Sequence, residues 1–385
     1  MSANGLRILH VVRRFHHPAG GTERYVLDVA RAQMRRGHRV RVVTLDRDVL
    51  DTGVEVLAVR QSVDGIGVIR LPGRGGSRWA LTTRPHLLAR EIARADVVHQ
   101  HDLRFHPGLT AVAAAARRRP VLFHTHGLIF HTNDAGTLKR VLMRAYYGPV
   151  MRVGRTAVVC DSAVDRERLL ALAPFLRRRA LHVPDALDTK GLAGLLREPV
   201  PGRIVVFGRV APSKGHDRMI EVVAVLPPEW HLVIAGRGEG RHQADLEALA
   251  SRRGVRDRVT FAGPYPEGGL GEILRTASVA AFPSRGEGFG LALVEALAAG
   301  LPVIASDLPS HREILGAELA GSVVDFDDPN DVAGALERLA GDPAASGHLG
   351  NAARARAAHF EVDRLADDLD RITRTLLATS PGRRR

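Results

Sequence analysis

The chain has 385 residues and is 45% apolar, enough for two domains of about 150 to 200 residues, each with an ordinary core. Its 55 basic residues exceed its 42 acidic ones, leaving a net charge of +13, yet no apolar run approaches the ~20 residues of a membrane span. A single cysteine, Cys160, rules out an intrachain disulfide framework and fits a reducing compartment.

The opening MSANGLRILHVVRRF lacks the pattern of a secretory leader, so the expected location is the cytoplasm. Three readings of the charge stand side by side. Nucleic-acid binding would call for aromatics interleaved with the basic clusters; those are absent, and no nucleic-acid partner is expected. Peripheral contact with an anionic membrane, at the inner face of the plasma membrane, is the second reading. The third is a compositional habit: only Lys139, Lys190 and Lys214 are lysines, against 52 arginines.

In chain order, RILHVV (7–12), RVRVVTL (39–45), DVVHQH (96–101), PVLFHTH (120–126) and TAVVCDS (156–162) are short apolar runs ending in polar or glycine turns, the pattern of buried parallel strands. Between the first two, TERYVLDVARAQMRRGH places Tyr25, Val26, Val29, Ala30 and Met34 at helical spacing, with Gly37 at the C-terminal cap. The stretch 189–202, TKGLAGLLREPVPG, has no clean period and reads as a linker. The alternation restarts with RIVVFG (203–208), HLVIAG (231–236), RVTFAG (258–263), VAAFPS (279–284), LPVIAS (301–306) and GSVVDF (321–326). DVAGALERLAG and a long amphipathic stretch over about 344–377 follow, then a disordered basic tail at 379–385.

The expected fold class is α/β: two Rossmann-like, doubly wound parallel-sheet domains at 1–190 and 202–355, facing a central cleft. A C-terminal helix over 356–378 is expected to return to the first domain. Ligands bind beyond the C-terminal ends of parallel strands, so the loops after each strand are the candidates for chemistry.

After the first strand, Gly20 and Gly21 precede a helix N-terminus, which attracts an anion or is simply a tight turn. After RIVVFG, the loop from Gly208 to Gly215 carries Arg209 and Lys214, two cations suited to a diphosphate or to plain solvation. In SRGEGFGLALVEALAAG, 284–300, Glu287 lies in a glycine loop and Glu295 lies inside the helix that follows. Leu291, Leu293, Val294, Ala296 and Leu297 leave Glu295 little polar face, so its carboxylate needs a partner. Two acceptors flanking a helix N-terminus suit a ligand with hydroxyls at both ends and phosphates between them.

That segment resembles the E-x7-E motif of the retaining glycosyltransferases of family four, which have the GT-B fold. PAGGTER, DVVHQHD, FHTHG, GRVAPSKG, IAGRGEG, RVTFAG and LAAGLPVIAS before HREIL occur in that family's order over about residues 7–315. The resemblance implies a hexosyl transfer from a UDP- or GDP-sugar to a sugar, lipid-linked or small-molecule acceptor, in cell-surface polysaccharide, glycolipid or natural-product biosynthesis. Glu287 would bind the donor sugar and Glu295 the ribose. Amides of Gly288, Phe289, Gly290 and Leu291 would reach sugar and diphosphate, and Gly21 the same phosphate. Arg209 and Lys214 would neutralise the leaving group. Phe261 to Tyr265, with Gly263, would lie near the base.

His126 would stand near the reacting sugar, with His124 second, and His101 and Asp102 would face the acceptor. The departing phosphate is thought to take the acceptor's proton on the same face, so neither an enzyme nucleophile nor a cofactor is expected. No metal is expected either, because DFD at 325–327 reads as a turn and cap before a helix. The family's usual P-N-G-V-D is PDALD here, Pro184 to Asp188, which puts Asp185 and Ala186 where asparagine and glycine are common. The rivals are a GT-B epimerase or phosphorylase, the latter needing a pyridoxal lysine, and a basic nucleic-acid-binding protein.

Overall fold

The computed structural model describes residues 5–15, 21–50, 53–75, 80–101, 103–127, 136–238, 240–266 and 268–378. Gly20, Asp102 and the tail at 379–385 lie outside them. The chain forms two compact units, 1–187 with 362–385, and 188–361.

The first unit is built on an eight-stranded sheet. Its spatial order is Ala180–His182, Thr156–Cys160, Val121–His124, Val97–Gln100, Arg7–Val11, Arg39–Leu45, Ile66–Leu71 and Arg60–Val63. All neighbours are parallel except the last pair, an antiparallel hairpin. Asp64 and Gly65 turn that hairpin at φ +50° and +80°. Successive residues of the first strand serve opposite faces: Leu9 and Val11 join one buried cluster, Ile8 and Val12 the other. Arg7–Val11 pairs with Arg39–Leu45 on one side and Val97–Gln100 on the other. The order of strands therefore reverses there, which is where open α/β sheets hold ligands.

The helix Val362–Ala378 belongs to this unit. Val362, Leu365, Ala366 and Leu369 recur at helical spacing and enter the same cluster as Tyr25, Val26 and Val29 of the helix Gly21–Arg35. Arg36 fastens the two helices through Asp363 (3.0 Å) and Asp367 (2.9 Å). The amphipathic stretch is thus not one helix. Pro343–Ala357 ends in a turn over Ala358–Phe360, where Phe360 is buried and meets the Phe289 ring edge-on at 5.7 Å. The chain passes into the first unit only at Val362.

The second unit has six parallel strands in the order Val259–Gly263, His231–Ala235, Arg203–Phe207, Val279–Phe282, Val303–Ser306 and Val323–Val324. Its reversal lies between Arg203–Phe207 and Val279–Phe282. The stretch read as a linker carries the short helix Lys190–Ala193 and belongs to this unit. Arg197 anchors it by donating to the carbonyls of Ala277 (2.7 Å) and Gly300 (2.8 Å).

Candidate functional site

In the second unit the two strands bordering the reversal each end in a glycine loop, and the loops touch. Gly208 leaves the first strand at φ +113°. The loop then makes one tight turn, Pro212–Lys214, closed by Gly215 at φ +68°. A Cβ on Gly215 would lie 2.1 Å from the Pro283 carbonyl oxygen, so only glycine allows this approach. The approach is sealed by the Arg285 amide donating to the Ser213 carbonyl at 2.8 Å.

The consequence is that Lys214 Nζ donates to Glu287 Oε1 at 2.5 Å, and Ser284 Oγ donates to the same oxygen at 2.8 Å. Both side chains are largely buried, 20% and 12% exposed. Burial alone would raise the Glu287 pKa. Attraction and hydrogen bonding from Lys214, with help from His311 and Ser284, outweigh it and hold the carboxyl below its usual range. Both contacts fall on Oε1. His311 is buried and uses Nδ1 against the Ser306 carbonyl at 3.0 Å, and burial pushes its pKa down.

The helix begins at Leu291, because Gly290 stands at φ +121° with no side-chain cap. Its first amides therefore have no intrahelical partner and carry the positive end of the helix dipole. Glu287 lies in the loop before that end and Glu295 lies within the helix, half-buried. Phe289 is buried, and Gly288 and Leu291 are partly exposed. Arg209 is exposed at the strand end. Gly263 closes Val259–Gly263 at φ +71° and accepts from the Gly236 amide at 2.8 Å. At the DFD sequence, Asp328 caps the helix Pro329–Gly341 by accepting from the Asn330 amide at 2.9 Å, a structural task.

In the first unit the strand ends at the reversal carry histidines. His10 faces His99 in register, and Val121–His124 brings His124 alongside. His101 and His124 are each 2% exposed, and both ring nitrogens of each are engaged by neighbouring side chains. Neither ring therefore has a nitrogen without a side-chain partner. His126 is the member that reaches outward. It stands at φ +44°, a strained conformation for a non-glycine residue, followed by Gly127 at +78°. Its Nδ1 lies 3.6 Å from Asp185 Oδ2. Gly21 opens the helix Gly21–Arg35 and is exposed.

Sequence reasoning passed over His10, His99, Gln33, Tyr25, Asp161 and His311. Period-two alternation in VHQH already places His99 and His101 on one face, but only strand adjacency adds His10 and His124. Burial pushes His10 down to about 4, and His99, His101 and His124 well below the usual imidazole value, with mutual repulsion second for the latter three. Asp161 moves the other way: burial, then Asp185 and Asp165, raise it well above the carboxylate range.

Two families match successive parts of the chain: "Glycosyltransferase Family 4" over residues 19–190 and "Glycosyl transferases group 1" over residues 196–356. Among curated relatives, the chain is 32% identical over 343 residues to a GDP-mannose:cellobiosyl-diphosphopolyprenol alpha-mannosyltransferase of Xanthomonas campestris, covering 87% of each. It is 31% identical over 379 residues to a D-inositol 3-phosphate glycosyltransferase of Xylanimonas cellulosilytica, covering 90% of each. A solved sucrose-phosphate synthase from Thermosynechococcus elongatus superposes with a TM-score of 0.73 at 22% identity, over 97% of this chain and all of that one. That likeness gives the fold, GT-B.

Proposed function

The chain belongs to glycosyltransferase family 4 and moves a sugar from a nucleotide sugar; on that premise we propose that it is a retaining, metal-independent hexosyltransferase whose donor site is the Lys214–Glu287 loop pair. One observation carries the reading. The ammonium and carboxylate are locked together at the strand reversal of the second unit, beside a helix whose N-terminal amides are uncapped.

Lys214 and the amides of Gly290 and Leu291 supply positive potential where the leaving diphosphate gains charge. Glu287 Oε2 accepts from a hydroxyl of the transferred sugar, and Glu295 from the ribose. Gly288 and Phe289 bring backbone amides to the donor, and Arg209 adds a cation. The leaving phosphate takes the acceptor's proton, so the configuration is kept without an enzyme nucleophile and without a cofactor. A guanosine diphosphate donor is the narrower choice, since the Xanthomonas campestris relative is a GDP-mannose transferase.

The test is transfer from GDP-mannose, UDP-glucose and ADP-glucose in the presence of EDTA, with the product's anomeric configuration read by NMR. Retention without added metal supports the reading. Inversion, or a strict metal requirement, overturns it.

A lipid-linked acceptor suits one surface. No helix among the described residues is long and apolar enough to cross a membrane. Yet the segment 136–153 exposes Leu138, Val141, Tyr146 and Val153 beside Arg140 and Arg144. Phe175 is exposed next to it, under the Arg152 guanidinium at 5.7 Å. Apolar and arginine side chains in one patch fit peripheral contact with an anionic membrane. Flotation with vesicles containing anionic lipid, and none with neutral vesicles, is the expected result.

A further inference from the structure

The glycine turn of the donor segment, which has no side-chain cap of its own, is held by the last stretch of the second unit, residues 343–360. At the start of the segment, Phe289 stands between Glu287 and Gly290. Its ring meets the Phe360 ring edge-on at 5.7 Å, and both are buried. At the far end, Arg354 donates to the Ala299 carbonyl at 3.4 Å. A Cβ on Gly300 would lie 2.3 Å from the Arg354 guanidinium carbon, and one on Gly350 would lie 2.7 Å from the Gly300 carbonyl oxygen. Glycine at both positions lets the helix Pro343–Ala357 close on the end of Leu291–Ala298.

Arg356 joins this hold to the other side of the turn. Its guanidinium lies over the Phe360 ring at 5.2 Å. It also donates to the Glu313 and Ile314 carbonyls, both at 2.6 Å, at the end of the helix Pro309–Leu315. Ile314 and His311 of that helix flank Gly290: a Cβ there would lie 3.3 Å from Ile314 Cδ1 and 3.7 Å from His311 Cδ2. Gly290, at φ +121°, is therefore packed from one side through Ile314, while its neighbour Phe289 is packed from the other through Phe360. Arg356 touches both supports.

We propose that Phe360 and Arg356 are positioning residues for the nucleotide-sugar donor: they hold Phe289 and Ile314 against the glycine turn and so keep Glu287 and the amides of 288–291 arranged to receive a diphosphate. The inference rests on the donor-site reading and adds to it two residues that touch no substrate. An observed affinity is reduced by the fraction of molecules whose site is competent. Loosening the turn lowers that fraction, and binding restores the order.

The experiment compares the full native chain with Phe360→Leu, which keeps a buried apolar side chain, and with Arg356→Ala, which removes a half-buried one. GDP and UDP are titrated calorimetrically, and hydrogen exchange over 284–291 is followed with and without the tighter of the two. Affinity is expected to fall about tenfold in Phe360→Leu and about threefold in Arg356→Ala, the scale of one aromatic pair and one cation–π contact. Arg356→Lys, which keeps a cation at the ring, is expected to stay within about twofold of the native chain. Exchange over 284–291 should quicken by similar factors in the free variants and return to the native rate at saturating nucleotide. A merely structural loss would not be repaired in that way.

Native affinity in both Phe360→Leu and Arg356→Ala, or native exchange over 284–291, overturns the inference while leaving the donor site standing. Faster exchange that extends equally to 203–215 marks general loosening and overturns it too. If the native chain binds neither nucleotide, the donor reading fails, and this inference falls with it.

Discussion

In the second unit the groups at the strand reversal are charged: an ammonium locked on a carboxylate at 2.5 Å beside the positive end of a helix. In the first unit the same position in the topology holds imidazoles kept neutral by burial. The difference separates fixed charge, which suits a group that gains negative charge, from buried rings whose nitrogens are tied to one another.

The comparison breaks most directly at Lys214. Lys214→Ala and Glu287→Ala should each lower kcat/KM by about 10²–10³, the scale of losing one preorganised charge contact in a transition state. Near-native transfer by both would remove the second unit's site.

Acid should separate the units next. His10 titrates at about 4 when folded against 6.5 for a free imidazole. A lowered histidine pKa means that the unfolded chain binds protons first. Its contribution is complete above about 6.5 and is lost as pH falls toward 4, about 3 kcal/mol for His10 alone. His99, His101 and His124 act in the same direction. Asp161, raised, opposes them. The second unit has His216, at about 4, and His311. The contribution of Glu287, whose pKa is lowered, is present above its free value of 4.5 and is lost only below it. Hydrogen exchange at pH 7, 6 and 5 should show the first unit's amides losing protection faster. Equal loss in both units would contradict the contrast.

A smaller effect sharpens the backbone argument. Gly215→Ala places a Cβ against the Pro283 carbonyl in a left-handed conformation. It should destabilise by about 1–3 kcal/mol and lower activity with it. Smallest is Arg36→Ala, which releases partly exposed ion pairs to Asp363 and Asp367 and should lower stability by about 0.5–1 kcal/mol in thermal unfolding.

Most strands were legible because buried parallel strands are short apolar runs, as RIVVF and VAAF are. Arg60–Val63 was not, because RQSV is polar and mostly exposed, and Ile66–Leu71, an apolar run of the ordinary kind, was passed over with it. The Asp64-Gly65 turn between them was the available signal. The donor loop was legible as a motif, but the Lys214–Glu287 contact was not. It depends on two loops from strands that are adjacent in the sheet and over 70 residues apart in the chain. The histidine chain hides for the same reason, since a single strand's sequence does not name its neighbours. PDALD showed a departure from the family's usual sequence, and in the fold its Asp185 lies 3.6 Å from His126.

The central claim is that Lys214 and Glu287 hold the nucleotide-sugar donor. Calorimetric titration of GDP, UDP and ADP into the native chain and Lys214→Ala tests it most directly. Saturable binding of one diphosphate to the native chain, GDP first, is expected, with at least a tenfold weaker affinity in the variant and unchanged melting behaviour. Equal affinity in the two proteins, or no binding of any diphosphate to the native chain, would contradict it.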